Sequence, residues 1–306
     1  MSFSHSVKEE IAANLPQSPC CLHAMAYGML LFSREFSPQG ISIMTDHDCV
    51  AKTYEALLDQ QAHVQAQTKI SDAGKYTVSV PVGEISQVLS VFSVSGNEAL
   101  LRVNRANLLN ESSDEEGLNC CHNAFLKGAF LACGTVSDPN KSYHLEFVVP
   151  YRTLSFDLLK LLTESGIKAK HMVRRYVNVI YIKDSESIED LLHLMGASMS
   201  AFEIAHIKIY KNFRNVSNRR TNFDDANTTR VAAAACEQIY AIRALHESGK
   251  YALLEPELQQ VANAREENPD ASLSELGALF SPPMTRSAVN HRLKKLVALS
   301  KNNEET

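Results

Sequence analysis

Two adjacent-cysteine pairs, Cys20-Cys21 and Cys120-Cys121, stand one hundred residues apart, and a glycine follows each at the same interval, Gly28 and Gly128. Each glycine sits in an apolar run of helical composition, Cys20 to Arg34 and Ala124 to Cys133. A mid-helix glycine costs about 1 kcal/mol against alanine. That cost is tolerated where two helix backbones approach closely. The two glycine helices are therefore expected to pack on each other at the centre of a duplicated, pseudo-symmetric domain.

The flanking patterns fit a repeated unit of helix, two strands, helix, two strands, helix. A leading helix is expected around Ser6 to Asn14. In the first repeat, Gly40 to Met44 reads as a strand, followed by a helix from Asp46 or Asp48 to about Gln60. His63 to Lys69 and Lys75 to Val80 pair across Asp72-Ala73-Gly74, and Gly83 to Phe92 is helical. Asn110 to Gly117 reads as a linker. In the second repeat, Tyr143 to Val149 alternates as a strand, and Ser155 to Glu164 is a helix stopped by Gly166. Lys168 to Arg175 and Tyr176 to Ile182 form a strand pair, and a helix from Ser185 or Ser187 ends at Met195. The fold class expected is α+β, a duplicated pseudo-symmetric domain over about residues 1–200 (repeats 20–109 and 120–200). A polar basic linker at 201–224 and an all-helical domain at 225–306 follow it.

The C-terminal stretch carries the functional signal. Ser272 to Phe280 reads as a short helix with Leu273, Leu276, Leu279 and Phe280 on one face, stopped by Ser281-Pro282-Pro283. Thr285 is the expected N-cap of a second helix, Arg286 to Val297, with Val289, Leu293, Leu296 and Val297 as its apolar stripe. Two helices joined by a tight turn form a helix-turn-helix. The second helix offers Ser287, Asn290, His291 and Lys294 to a DNA groove, with Arg286, Arg292 and Lys295 beside them. Upstream, Arg214, Asn218, Arg219, Arg220, Asn222, Asn227 and Arg230 form a second set suited to phosphate contact, before a long helix, Asp225 to Glu247, ended by Gly249.

The formal net charge of −5 is unevenly spread. Residues 1–117 carry seven Lys/Arg against fourteen Asp/Glu, whereas residues 211–306 carry thirteen against twelve. An acidic chain with local basic windows implies salt-sensitive DNA binding. No apolar run reaches the length of a membrane span, and the N-terminus has no signal-peptide core, so a cytoplasmic protein is expected. Seven cysteines fit reduced thiols rather than a disulfide framework. Neither adjacent pair has the separation of two to four residues usual for zinc ligands, so no metal and no cofactor are expected.

Leu126-Lys127-Gly128-Ala129-Phe130-Leu131-Ala132-Cys133-Gly134, followed by Thr135 to Pro139, resembles the LAGLIDADG helix of homing endonucleases. The chain as a whole resembles the WhiA family of bacterial sporulation and cell-division regulators, through Met1 to Ser4 with Val7 to Glu10, Asn218-Arg219 to Asn222 with Ala226-Asn227, and Ser287 to Leu293. The resemblance implies a degenerate LAGLIDADG domain joined to a C-terminal helix-turn-helix. A LAGLIDADG nuclease needs an acidic residue near the end of each glycine helix to hold divalent metal. Alignment on the glycines puts Leu131 and Cys133, and Leu31 and Ser33, at those positions, with Glu35 and Asp138 beyond them. No catalytic residue and no enzymatic activity are therefore expected.

The function expected is sequence-specific DNA-binding transcriptional regulation of sporulation or cell division in a Gram-positive bacterium, at the nucleoid. The partners expected are double-stranded DNA and another transcription regulator or RNA polymerase. The rival readings are a nucleoid-coating or scaffold protein, for which Glu84 and Asp114 to Glu116 offer an acidic partner surface, and an active nuclease.

Overall fold

In a computed structural model describing residues 2–94, 101–108 and 120–301, the chain forms two compact units, Met1–Tyr210 and Lys211–Thr306. Helix α1 (Phe3–Ala13) is capped by Ser2, whose side chain accepts from the His5 amide. The first repeat runs α2 (Pro19–Leu31), β1 (Glu35–Ser37), β2 (Gly40–Thr45), α3 (Asp48–Ala62), β3 (Gln67–Ile70), β4 (Tyr76–Ser79) and α4 (Ile85–Val91). The second runs α5 (Cys120–Cys133), β5 (Gly134–Val136), β6 (Leu145–Val149), α6 (Arg152–Glu164), β7 (Lys170–Arg174), β8 (Val177–Ile182) and α7 (Ser185–Leu194). Each repeat builds one antiparallel sheet, in the orders β1-β2-β4-β3 and β5-β6-β8-β7, so the two have the same topology. The linker expected at Asn110 to Gly117 lies outside the described residues.

Helices α2 and α5 are the centre of this unit. Nearly every residue of α2 from Cys21 to Leu31 is buried, which is the signature of a helix packed on all sides. A Cβ built at Gly28 would lie 2.3 Å from the Phe125 carbonyl oxygen, and one at Gly128 would lie 2.0 Å from that of Met25. Only glycine permits this crossing. The expectation that the two glycines mark helix contact is therefore met, and both repeats share a continuous core.

Tight crossing also gathers the cysteines. Cys21 precedes Gly28 by seven residues, two turns, and Cys121 precedes Gly128 by the same step, so both lie on the crossing face. The four sulfurs of Cys20, Cys21, Cys120 and Cys121 all lie within 4.8 Å of one another. Spacing within each pair could not show this gathering, because it takes one pair from each of two helices.

Residues 201–224 depart from the expectation of a linker. Their polar composition predicts a linker, yet helix α8 runs unbroken over Ser198–Glu247. No Pro or Gly interrupts those fifty residues. Asn, Thr and Arg lower helix propensity by fractions of a kcal/mol each, far less than a breaker does. The helix expected to start at Asp225 thus starts at Ser198, and Asp224 and Asp225 lie in its interior; Asp224 O accepts from Thr228 Oγ1 at 2.9 Å. The start of α8 is held instead by Glu10, whose carboxylate accepts from Met199 N at 2.7 Å, Ser200 N at 3.0 Å and Ser200 Oγ at 2.6 Å. An acid at a helix N-terminus satisfies orphan amides and the helix dipole together. Gly249, at φ 70°, ends the helix as expected.

The second unit contains the C-terminal part of α8, then α9 (Pro256–Glu267), α10 (Leu273–Ala278) and α11 (Arg286–Lys301). Its core joins Ile242 and Leu245 of α8, Leu258, Val261 and Ala262 of α9, Leu276 of α10, and Val289, Leu293 and Leu296 of α11. Leu279, expected on the apolar face of α10, is 58% exposed. The helix ends at Ala278, and the Leu279 amide donates to the Leu276 carbonyl at 3.1 Å, a tighter last turn that leaves Leu279 outward while Phe280 packs against the core. Among the described residues no helix is long and apolar enough to cross a membrane.

Candidate nucleic-acid interface

The helix-turn-helix is fixed at each joint by a short-range device. Ser272 and Glu275 form a capping box on α10, each side chain bonding the other's backbone amide. Gly277 lets the chain fold back: a Cβ there would sit 2.3 Å from the Met284 carbonyl oxygen, and Gly277 O accepts from Met284 N at 2.9 Å. Thr285 caps α11 as expected, its Oγ1 accepting from Ala288 N at 3.2 Å. Arg265 of α9, only 2% exposed, braces the approach to α10. Its Nη1 donates to the carbonyls of Asn268, Pro269 and Ala271, the last at 2.6 Å. Burial lowers its pKa from the usual guanidinium range.

The structure sorts the seven α11 residues into three groups. Arg286 and Asn290, one turn apart, line a groove of about 400 Å³ with Asn227, Arg230 and Gln238 of α8, Arg265, and Ser272 and Ser274 at the start of α10. Ser287, His291 and Lys294 are exposed on the side away from the core, and none of their side chains bonds to another described residue. Arg292 and Lys295 point the other way: Arg292 pairs with Glu257, and Lys295 Nζ lies 3.3 Å from Glu255. Those two cations, expected beside the DNA-facing set, tie α11 to α9 instead. Their acidic partners are 35 and 40 residues away in sequence, which is why a local charge count overlooks them.

Helical geometry also connects the upstream basic residues to the groove. At about 100° per residue, Arg219 and Arg230 fall within about 20° of each other on α8, as do Arg220 and Asn227. Arg219 lies roughly 16 Å along the axis from Arg230. Two rows of polar and basic side chains thus lead along α8 into the groove, with Arg214, Asn218 and Asn222 exposed on the same stretch. Sequence reasoning missed Gln238, Arg265, Ser272 and Ser274 as groove residues. The S-x-x-E capping-box spacing was the available signal for Ser272.

In the first unit, the ends of α2 and α5 border a second cavity of about 420 Å³, lined by Ser33, Arg34, Cys133 and apolar side chains including Phe32, Met44 and Val148. None of its lining residues carries a carboxylate. Leu31 and Leu131 are core residues at 1% exposure. Ser33 Oγ donates to Leu30 O at 2.6 Å, and burial pushes the Cys133 thiol up to about 12, so it stays neutral. Lys8 donates to Leu131 O at 3.2 Å, placing an amine where the helix end is electronegative. Asp138 Oδ1 is occupied in its own turn, accepting from Asn140 N at 2.9 Å. A hard divalent cation needs several oxygen ligands, which this helix end does not present.

A family model described as the WhiA C-terminal HTH domain matches residues 217–300, and one described as the WhiA LAGLIDADG-like domain matches residues 122–214. The chain is 31% identical to the probable cell division protein WhiA of Alkaliphilus metalliredigens over 309 residues, covering 97% of this chain and 96% of that one. It is 33% identical to that of Carboxydothermus hydrogenoformans over 307 residues, again covering 97% and 96%. In fold it is similar to the crystal structure of full-length DUF199/WhiA from Thermatoga maritima, with a TM-score of 0.60 at 21% identity, covering 99% of both chains.

Proposed function

The chain belongs to the WhiA family, and on that premise we propose that it is a sequence-specific, double-stranded-DNA-binding regulator without nuclease activity, acting at the nucleoid in cell division or sporulation. The observation that carries this reading is the groove in which Asn290 and Arg286 of α11 meet Asn227 and Arg230 of α8. Asparagine and arginine read adenine and guanine edges with paired hydrogen bonds. The arginine rows on α8 supply phosphate contacts, which carry affinity without sequence information. The relatives' names, as probable cell division proteins, support the cellular role. A protein partner, a second regulator or RNA polymerase, belongs to the same proposal.

Footprinting on genomic fragments tests it. A regulator protects discrete promoter sites, whereas a nucleoid-coating protein protects DNA evenly; even protection would replace this reading with the coating one. Arg219→Ala with Arg220→Ala should weaken binding to all sequences alike. It should also reduce the slope of log affinity against log salt by about 2, since each phosphate contact contributes about 0.9. Gel shifts across a salt series measure this, and a loss confined to one sequence would contradict the phosphate assignment.

Duplex DNA should remain uncut with magnesium or manganese present, because Leu31, Ser33, Leu131 and Cys133 offer no carboxylate at the helix ends. Metal-dependent nicking that persists through rigorous purification would refute the non-enzymatic reading. Cleavage restored by Ser33→Asp with Cys133→Asp would support descent from a nuclease.

A further inference from the structure

The cysteine tetrad at the N-terminal ends of α2 and α5 is separate from both cavities described above. Its sulfurs lie within 4.8 Å of one another, with Cys21 Sγ and Cys121 Sγ at 4.0 Å. A tetrahedral ion with metal–sulfur bonds of about 2.3 Å requires sulfur–sulfur edges of about 3.8 Å. Thiol rotamers can take up the difference without moving the helices, which the glycine crossing already holds. We infer that Cys20, Cys21, Cys120 and Cys121 form a mononuclear tetrathiolate site for a soft divalent metal, zinc above all, that clamps the two repeats together at their pseudo-symmetric crossing.

The place of both pairs at helix starts favours thiolate ligation here. Cys20 and Cys21 occupy the first turn of α2 behind Pro19, and Ser18 makes no side-chain cap bond there. Cys120 and Cys121 begin α5. Both pairs thus sit at the positive end of a helix dipole, among amides with no intrahelical acceptor, where anionic sulfur is stabilised.

The nearby histidines have other partners. His23 Nε2 lies 3.0 Å from Asn107 Oδ1, and His122 Nε2 lies 3.4 Å from Ser165 Oγ. The site is therefore all-sulfur. Cys21 and Cys121 are buried and Cys20 and Cys120 half-buried, which suits a closed structural site with no open coordination position. Binding replaces four S–H bonds with four metal–sulfur bonds and releases four protons to solvent, leaving a complex of charge −2 that the two helix N-termini offset.

The full chain, purified under reducing and oxygen-free conditions, should carry one zinc per chain by mass spectrometry of the metal. Cobalt(II) substituted for it should show the strong visible bands and thiolate-to-metal charge transfer of tetrahedral sulfur ligation. Treatment with a mercurial should release the zinc, and chelation should lower the melting temperature. Cys21→Ser with Cys121→Ser should lose the metal, while Cys236→Ser, an exposed cysteine elsewhere, should retain it. The wild-type cobalt spectrum does not depend on any variant folding. An octahedral spectrum, metal far below one equivalent after incubation with zinc, metal retained without Cys21 and Cys121, or a disulfide joining these cysteines in the freshly reduced protein would each overturn the proposal.

Discussion

Gly128→Ala is expected to lower the stability of the N-terminal unit by about 3 kcal/mol or more, near or above the upper end of ordinary overpacking. The added Cβ would lie 2.0 Å from Met25 O and 2.7 Å from Met29 N, both backbone atoms that cannot rotate aside. Restoring ordinary van der Waals separation requires α2 and α5 to part by more than about 1 Å, opening the centre of the core. The gain in helix propensity, about 1 kcal/mol, works against this and is too small to offset it. At roughly 2 to 4 °C per kcal/mol for a unit of this size, the melting transition should fall by about 6 to 12 °C. Calorimetry resolves it, and a variant melting with the wild type would mean that the helices do not cross at this residue.

Leu293→Ala should cost the C-terminal unit about 2 to 5 kcal/mol, as large-to-small changes in a packed core do. Leu293 is 0% exposed in a cluster contributed by four helices, and no smaller side chain can collapse into its place without moving α11. For about 90 residues, 4 to 8 °C per kcal/mol places the fall in melting temperature at roughly 8 to 40 °C, with DNA binding abolished through unfolding. Leu279→Ala is the matched control. At 58% exposure it should change stability by no more than about 0.5 kcal/mol. Circular dichroism melts of the two variants side by side measure the contrast, and equal effects would contradict the assigned core.

The duplicated unit was legible because the cysteine and glycine offset of one hundred residues and the repeated order of helices and strands agree, although the three-residue strands β1 and β5 are too short to show a period and went unread. Gly28 and Gly128 disclosed the helix crossing through their cost. The helix-turn-helix was legible for a similar reason: Thr285 and the Val289, Leu293, Leu296 stripe are local signals. What escaped depends on tertiary proximity or on what a signal omits. Residues 201–224 are polar enough to pass for a linker, but polarity alone does not break a helix that lacks Pro and Gly. Glu255 and Glu257 claim Lys295 and Arg292 across the sequence. The thiol tetrad arises only when two distant pairs are superposed by the crossing. Even so, the interval of seven residues from Cys21 to Gly28, repeated from Cys121 to Gly128, placed both cysteines on the crossing face in advance.

On the function proposed, the N-terminal half of α11 reads base edges beside α8. Asn290→Ala and His291→Ala, compared with the wild type in gel-shift titrations on a footprinted site and its single-base mutants, test it most directly. Discrimination against the mutant sites should fall by about 1 to 3 kcal/mol for each base edge left unread, roughly 5- to 150-fold, at unchanged melting temperature. Undiminished discrimination in both variants, with melting temperatures equal to that of the wild type, would contradict the claim and leave the helix-turn-helix a structural or protein-binding element.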